Sequence, residues 1–474
     1  MNGSAVQSFD IAVIGGGPAG MSAASLAAQH GAKTILIDEQ PHLGGQIYRA
    51  VTISPLKGTP IPGADYWRGD KLVQTFTQSG AHHMAGATVW SVAPTLEIGV
   101  SIGGKAGIIQ ARQIILATGA LERPFPVPGW TLPGVMTAGA AQILLKTSGL
   151  VANENVVLAG NGPLLWLLAT QYLNAGAHIS AILDTTPLWN FLPAIPHFPA
   201  FATSKYFGKG LGMLVHARRR IAILGNVTEL RAQGQNQLEQ VSFRQGGGIQ
   251  RQLAANTLLL HQGVVPNINL SNALGCEMTW DSQQLFWTPI VDHWCRSSVK
   301  NIAIAGDGAG IGGAIVAEHL GRLSAIGALQ RLGTLGADSA RQQGNVHRRA
   351  AKTASRGRRF IDTLYRPAKQ FRVPRGETIV CRCEEVTAQQ VSDVIAMGCP
   401  GPNQAKAFLR CGMGPCQGRF CGLTLTEMFA DGTGTAPKDV GYYRLRPPIK
   451  PVTVGELAAL PRSFADETAV NREP

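Results

Sequence analysis

Residues 10–20 read DIAVIGGGPAG, and this stretch decides the fold. Its apolar first half predicts a buried strand, and the alanine-rich run that continues to about His30 predicts a helix. Between them, Gly15 permits a tight turn, Gly17 lets the backbone approach a pyrophosphate, and Gly20 lets helix and strand pack closely. The unpaired N–H groups that open the helix attract the same anion. The stretch therefore predicts a dinucleotide-binding unit near the N-terminus.

A carboxylate follows about twenty residues later, where such a unit needs one for a ribose hydroxyl. Residues 33–37, KTILI, predict the second strand, and Asp38 and Glu39 come directly after it. Counting from Gly15 favours Asp38 as the ribose ligand. Counting back from the glycine pair at 44–45 leaves Glu39 open.

Two later segments complete the pattern. Residues 114–119, IILATG, predict a strand that ends in a small-residue turn, and residues 301–308, NIAIAGDG, predict another strand before a long helix. Together the motifs resemble the two-dinucleotide-binding-domain flavoproteins, an α/β class with the glutathione-reductase-like fold, over about residues 9–333. The resemblance implies FAD, with Asp307 holding the ribityl chain. The residues predicted to seat FAD are Gly15, Gly17, Pro18, Ala19, Gly20, Asp38, Glu39, Gly45, Gln46, Arg49, Thr118, Gly119, Gly306 and Asp307.

A second nucleotide fold begins at residue 155 and is impaired. Its turn reads GNGPLL over residues 160–165, so Leu165 replaces the third glycine and Trp166 adds further bulk. NAD(P) binding there is doubtful, and Asp184 at the next strand end is either a ribose ligand or a solvated turn residue. No cysteine precedes Cys276, which excludes the redox cysteine pair of a disulfide reductase. Cys276 and Cys295 are predicted to be small buried hydrophobic residues.

Six of the eight cysteines crowd into residues 381–421. Cys381, Cys383, Cys416 and Cys421 come from two short loops, and four thiolates suit either a 2Fe-2S cluster or a zinc ion. We favour the 2Fe-2S cluster, because an electron carrier beside a flavin has a use. Cys411 is a possible substitute ligand, and Cys399 is predicted to be structural.

The chain between the two cysteine loops predicts two helices. Thr387 and Gln390 form a capping box for the first, which Gly398 ends, and Asn403 starts a second that runs to Leu409. This helix pair, with Cys-x-Cys at its entry, resembles the bacterioferritin-associated-ferredoxin type of 2Fe-2S domain.

Length and charge bound the remaining possibilities. A chain of 474 residues predicts two or three domains, and the net charge of +13 comes largely from residues 341–375, with eleven Lys or Arg against Asp362 alone. No nucleic-acid-binding module accompanies these cations, so we interpret the segment as a solvated or partner-facing connector. The N-terminus lacks a secretory pattern, and glycines and Pro163 interrupt the uncharged run 155–183. These features predict a cytoplasmic protein that could associate with the inner face of the cytoplasmic membrane.

The motif order predicts a division into four parts. Residues 1–150 and 265–335 form a discontinuous FAD-binding domain, and residues 151–264 form the degenerate second nucleotide domain. Residues 336–376 are the basic linker, and residues 377–474 carry the 2Fe-2S domain and a tail.

Taken in order, these motifs resemble the larger subunits of opine oxidases, hydrogen cyanide synthase and dye-linked proline or hydroxyproline dehydrogenases. The resemblance implies an electron-transferring subunit of an amine or amino-acid dehydrogenase, from which catalytic residues for the substrate are mostly absent. It also implies a substrate-oxidising, glycine-oxidase-like flavoprotein partner, a respiratory acceptor, and in some relatives an interface FMN and a small third ferredoxin-like subunit. Two alternatives are a stand-alone NAD(P)H-dependent reductase and a non-catalytic carrier with a structural metal.

Overall fold

The computed structural model describes residues 7–152 and 154–460, and the predicted apolar runs form its first sheet. Five of the seven strands are parallel, as expected for apolar strands covered on both faces. Ile14 lies opposite Ile37 and Leu116, so three strand ends meet at one edge. In spatial order the strands are His82–Ala85, Thr34–Asp38, Gln7–Ile14, Lys105–Leu116, Glu97–Ile102 and Thr88–Val92, with Ile302–Ile304 beside Lys105–Leu116.

Alanine- and glycine-rich helices cover one face of this sheet. Pro18–Gln29 and Ala314–Leu332 pack closely because Gly321 has no Cβ, which would overlap the backbone of Ala19. Helix Ala64–Thr77 packs against the outer side of the first of these.

The basic linker is folded rather than extended. Helix Ala337–Ala354 packs along Ala314–Leu332, with Gly344 against the ring of Trp294, and helix Arg358–Leu364 and a 3-10 turn, Lys369–Phe371, follow. The prediction of a solvated connector is therefore wrong for the inner side of this segment. Small residues on the inner side of this segment allow the helix to pack closely. The sequence did not predict this packing, because the many cations of the segment suggest a solvent-exposed chain.

The second sheet has five parallel strands. In spatial order they are Ala222–Leu224, Ile179–Asp184, Val156–Asn161, Thr257–Gln262 and Val135–Thr137. Helices Ala138–Ser148 and Pro163–Asn174 pack on one face. An antiparallel sheet covers the other face and consists of Val227–Gln233, Gln240–Gln245 and Ile249–Ala254.

Short elements join the two nucleotide folds. Ala120–Glu122 pairs with Val264–Pro266, and Met278–Asp281 pairs with Phe286–Pro289. Helix Asn269–Ala273 and the 3-10 turn Gly306–Ala309 lie at the same junction. The second fold also carries an insert of short helices between strands Ile179–Asp184 and Ala222–Leu224. They are Leu188–Asn190, Phe191–Ala194, Ile195–His197, Phe198–Ala202 and the longer Lys205–Arg218.

The C-terminal part is small and mainly helical around its own apolar core. The predicted capping box of Thr387 and Gln390 is confirmed, and the second predicted helix begins at Pro402, one residue before Asn403. The elements of this part are all short. They are strands Ile379–Cys381 and Val386–Thr387, and helices Ala388–Ala396, Pro402–Leu409, Gly422–Thr433, Pro437–Val440 and Val454–Ala458. Across residues 7–152 and 154–460, no helix combines the length and apolar character that crossing a bilayer requires.

Candidate cofactor sites

The first glycine turn has the geometry that a pyrophosphate needs. Gly15 has φ +112°, and a Cβ there would overlap the carbonyl oxygen of Ala117. A Cβ on Gly20 would in turn overlap the carbonyl of Gly15. Gly17 precedes Pro18, the first residue of the helix, and no acidic side chain lies in that first turn. The turn therefore presents free backbone N–H groups to an anion.

The two candidate ribose acids occupy different environments. Asp38 is buried, and its carboxylate accepts the N–H of Gly16 and, at 2.7 Å, that of Gln40. Burial raises the pKa of Asp38, and the two N–H groups oppose that rise. Glu39 is exposed, and its Oε2 lies 2.7 Å from Nζ of Lys450. Asp38 thus ties the second strand to the glycine turn, whereas Glu39 projects outward.

The second glycine pair lies directly against the first turn. Gly44 donates its N–H to the carbonyl of Gly16 at 2.9 Å, and a Cβ on Gly45 would overlap Gly17. Beyond it, the Gln46 side chain accepts a hydrogen bond from Arg49 at 3.0 Å. The structure therefore brings these predicted residues to the same edge of the sheet.

A buried lysine that sequence reasoning missed supports this loop. Lys146, on helix Ala138–Ser148, donates to the carbonyl of Ile47 at 3.0 Å and to Oε1 of Gln142 at 2.8 Å. Burial lowers the pKa of Lys146 to about 7, and the nearby charge of Arg49 adds to the effect. A single lysine in a helix carries no sequence signal that would identify this role.

The remaining predicted FAD residues gather at the same edge. Asp307 Oδ1 accepts the N–H groups of Gly312 and Gly313 at 2.9 and 3.0 Å, which fixes the turn before helix Ala314–Leu332. Thr118 donates to the carbonyl of Asn267 at 3.0 Å. The last predicted FAD residues lie beside this turn. Gly119 contacts the turn at Gly308, and the side chain of Ala19 lies against Gly306.

The second nucleotide fold has its turn covered by the linker. Asn161, between the two glycines of that turn, donates to the carbonyl of Tyr365 at 3.1 Å. Asn190 donates to the carbonyls of Leu364 and Arg366 at 2.9 and 2.8 Å. Burial and the charge of Asp184 raise the pKa of Tyr365 to about 12. The protein's own chain thus occupies space next to the turn that a cofactor's phosphates would approach.

A bulky leucine and a hydrogen-bonded His–Glu pair further shape this turn. Leu165, at the position of the third glycine, is fully buried in the helix–sheet core. His261 Nδ1 lies 2.6 Å from Oε1 of Glu122, and Oε2 of Glu122 accepts the N–H of Gly139 at 2.8 Å. The other face of the His261 ring lies beside Gly162. This pair had no sequence signal, because its members are 139 residues apart.

The cysteine thiols of the C-terminal part interact with one another in two groups. Cys381 interacts with Cys411 and Cys421, and these thiols lower its pKa together with the N–H groups of Gly412 and Glu384. Cys383 interacts with Cys416. In the described part of the chain, no three His, Cys, Asp or Glu side chains are arranged to hold a metal ion.

This division nevertheless fits a two-iron cluster at the level of ligand pairs. Each iron of a 2Fe-2S cluster takes two thiolates. Cys381 with either Cys421 or Cys411, and Cys383 with Cys416, would provide one pair of thiolates for each iron. Cys411 is fully buried and is, with Cys421, one of the two thiols beside Cys381.

The other cysteines lie away from these groups. Cys276 and Cys295 are buried, as predicted, and burial raises the pKa of Cys295 to about 12. Cys399 is buried, and its thiol lies 3.7 Å from the carbonyl oxygen of Gly401.

One segment touches both candidate cofactor sites. The carbonyl of Asn267 accepts from Thr118 at the FAD edge, and two residues later the Asn269 side chain donates to the carbonyl of Gln417 at 2.8 Å. Gln417 directly follows Cys416. The cysteine loop is therefore one short segment away from the flavin edge of the first fold.

A buried charge cluster also joins the C-terminal part to the rest. Glu427, on helix Gly422–Thr433, pairs with Arg372 from the linker and lies 4.0 Å from Arg123. Arg123 also donates to the carbonyls of Leu285 and Gln284 at 2.9 and 2.6 Å. Burial lowers the pKa of both arginines to about 10.

The chain has two consecutive nucleotide folds, and a strand that follows the second fold in sequence completes the sheet of the first. This arrangement defines the class of two-domain flavin oxidoreductases. The pyridine nucleotide-disulphide oxidoreductase family model matches residues 9–321, so the chain belongs to that family. The sarcosine oxidase A3 domain model matches residues 375–460. The predicted fold class is confirmed for the α/β part.

The relatives confirm the predicted resemblance. The A subunit of opine oxidase from Rhizobium meliloti is 44% identical, over 98% of this chain and 90% of that protein. The HcnB subunit of hydrogen cyanide synthase from Pseudomonas protegens is 30% identical, over 94% and 96%. The L-proline dehydrogenase structure from P. horikoshii has a TM-score of 0.71 and 20% identity, over 96% and 81%, which shows a shared fold.

Proposed function

We propose that this chain is the FAD- and 2Fe-2S-carrying, electron-transferring subunit of a heteromeric amine or amino-acid dehydrogenase. The names of its relatives support this, because they are subunits of opine oxidase, hydrogen cyanide synthase and sarcosine oxidase. The substrate class is accordingly compounds with a CH–NH bond, of the opine, glycine, D-amino-acid or proline type. The partner that oxidises the substrate is a glycine-oxidase-like flavoprotein. An FMN between subunits, a cytoplasmic location, a respiratory acceptor and a small third subunit belong to the same proposal.

The single observation that carries the proposal is the segment that touches both sites. Asn267 contacts the flavin edge and Asn269 contacts the cysteine loop, so the two candidate redox sites are neighbours. FAD bound at the first fold would handle electron pairs, and a 2Fe-2S cluster would pass single electrons onward. The chain's own residues would hold FAD: the N–H groups of the first turn would face its pyrophosphate, and Asp307 would lie at its ribityl chain.

The second nucleotide fold argues against a stand-alone NAD(P)H reductase. Its turn is occupied by contacts with the linker at Tyr365, and Leu165 replaces the glycine that allows close approach. These features support an electron supply from a partner protein rather than from a nicotinamide.

The division of the thiols into two groups favours iron over zinc. A structural zinc site gathers four thiolates around one centre, whereas a 2Fe-2S cluster divides them between two metal ions. Cys383 interacts with Cys416, whereas Cys381 interacts with Cys411 and Cys421, and this division supports the second arrangement.

The proposal is tested with Cys416→Ser in the assembled complex. We expect the variant to keep FAD but lose substrate-dependent reduction of an external dye, because one iron loses a thiolate. Cys399→Ser is the matched control: Cys399 is buried in the same core, lies outside both thiol groups, and a hydroxyl there can still donate to Gly401. This control should keep both the cofactors and dye reduction.

Undiminished dye reduction by Cys416→Ser would overturn the electron-relay role. Reduction of the flavin of the isolated chain by NADH would instead favour the reductase alternative. A colourless, zinc-containing C-terminal part would favour the carrier with a structural metal.

A further inference from the structure

The helical insert of the second nucleotide fold exposes a concentration of apolar side chains. Eight of the 22 large hydrophobic side chains that are exposed among the described residues lie within residues 188–215. Trp189 is 68% exposed and Leu192 is 74% exposed. We call this set the apolar platform, and it comprises Leu188, Trp189, Phe191, Leu192, Ile195, Phe198, Leu211 and Val215. A patch of this kind indicates contact with another protein or with a membrane.

Charge distinguishes between these two kinds of contact. Residues 185–228 contain no Asp or Glu, and they contain five cations. These cations are Lys205, Lys209, Arg218, Arg219 and Arg220. Lys209 pairs with Asp65, whereas Arg218, Arg219 and Arg220 form no ion pair within the described residues.

The fold brings the basic linker to the same place. Phe360, on linker helix Arg358–Leu364, stacks on Phe201 with ring centroids 4.4 Å apart. Tyr206 donates to the carbonyl of Ala354 at 3.2 Å, and a Cβ on Gly357 would overlap the insert at Ser204. The exposed linker cations Lys352, Arg356 and Arg359 therefore flank the insert. The sequence places these two features about 150 residues apart.

We propose that the apolar platform and its surrounding cations bind the surface of an anionic lipid bilayer. Exposed Trp, Phe and Leu beside Lys and Arg, without acids, are typical of elements that lie in the membrane interface. Cations near an anionic leaflet add attraction to the apolar contact, and peripheral attachment needs both contributions. Residues 185–228 contain no carboxylate that an anionic leaflet would repel, which favours a lipid surface over a protein partner. The proposal stands independently of the redox function.

The apolar contribution is tested on the full chain with phosphatidylcholine vesicles, with and without phosphatidylglycerol. We expect wild type to sediment with the phosphatidylglycerol vesicles, and to do so less as salt increases. The double variant Trp189→Ser with Leu192→Ser should bind at least about tenfold more weakly. Met397→Ser with Val454→Ser is the matched control, because Met397 and Val454 are 75% and 82% exposed and lie in the C-terminal part. It should bind like wild type.

The charge contribution has its own pair of variants. Arg218→Glu with Arg219→Glu should reduce binding to the anionic vesicles at least about tenfold. Arg251→Glu with Lys105→Glu changes the net charge equally at exposed positions outside the insert, and it should have a small effect.

Three results would overturn the proposal. The first is a wild-type chain that binds neither vesicle, or binds both equally at every salt concentration. The second is equal weakening by the platform variants and their controls. The third is a platform variant that converts an oligomer into a monomer while vesicle binding is unchanged, since the platform would then join copies of this chain.

Discussion

Glu427 gives the sharpest prediction about what holds the C-terminal part in place. Its carboxylate is buried between Arg123 and Arg372, which come from outside that part. Glu427→Gln keeps the shape but leaves the buried guanidinium of Arg123 and the largely buried one of Arg372 without their counter-charge. Breaking a buried pair in this way costs about 3–5 kcal/mol. We therefore expect the docking of helix Gly422–Thr433 to weaken by that amount.

Hydrogen exchange measures this loss locally, which suits a chain with several folding units. A cost of about 3 kcal/mol corresponds to amide exchange about 150-fold faster in helix Gly422–Thr433. Asp431→Asn is the matched control on the same helix, because Asp431 pairs with a Lys369 whose side chain is 63% exposed. An exposed pair contributes about 0–1 kcal/mol, so exchange should rise less than about fivefold. Equal effects of the two substitutions would refute the reasoning.

Two further predictions concern the FAD edge. The pKa of Lys146 is about 7 in the folded chain, below its ordinary 10.5, so the unfolded state binds more protons between these values and stability should rise with pH there. Lys146→Met should abolish that rise in the melting temperature, and an unchanged pH profile would contradict the burial argument. We propose that the exposed Glu39, and not the buried Asp38, would accept from the ribose, so Glu39→Gln should weaken FAD binding about tenfold in a fluorescence titration. An unchanged affinity for FAD would indicate that Asp38 binds the ribose. In the structure, Asp38 accepts a hydrogen bond from the glycine turn.

Much of the fold could be predicted because its signals are local. The glycine turn at 15–20 and the capping box at Thr387 depend on residues within a few positions of each other, and the structure has both. The parallel strands were recognisable because each is a short apolar run before a glycine turn. The predicted domain boundaries stay a prediction.

The unpredicted features all depend on contacts between distant parts of the chain. Glu122 meets His261 across 139 residues, and Asn161 meets Tyr365 across 204. The packing of the linker was not predicted for the same reason. Its cations can be read from the sequence, but the contact between its small residues and Trp294 cannot. The burial of Lys146 was not predicted either, because it depends on the loop at Gln46 and Ile47, which is about 100 residues away in sequence.

The most direct test of the central claim is the cofactor content of the anaerobically purified chain. We predict a yellow protein with bound FAD, and iron and acid-labile sulfide in equal amounts. After reduction it should give the electron paramagnetic resonance signal of a 2Fe-2S cluster. A preparation that contains zinc in place of iron, or that lacks the flavin, would contradict the account.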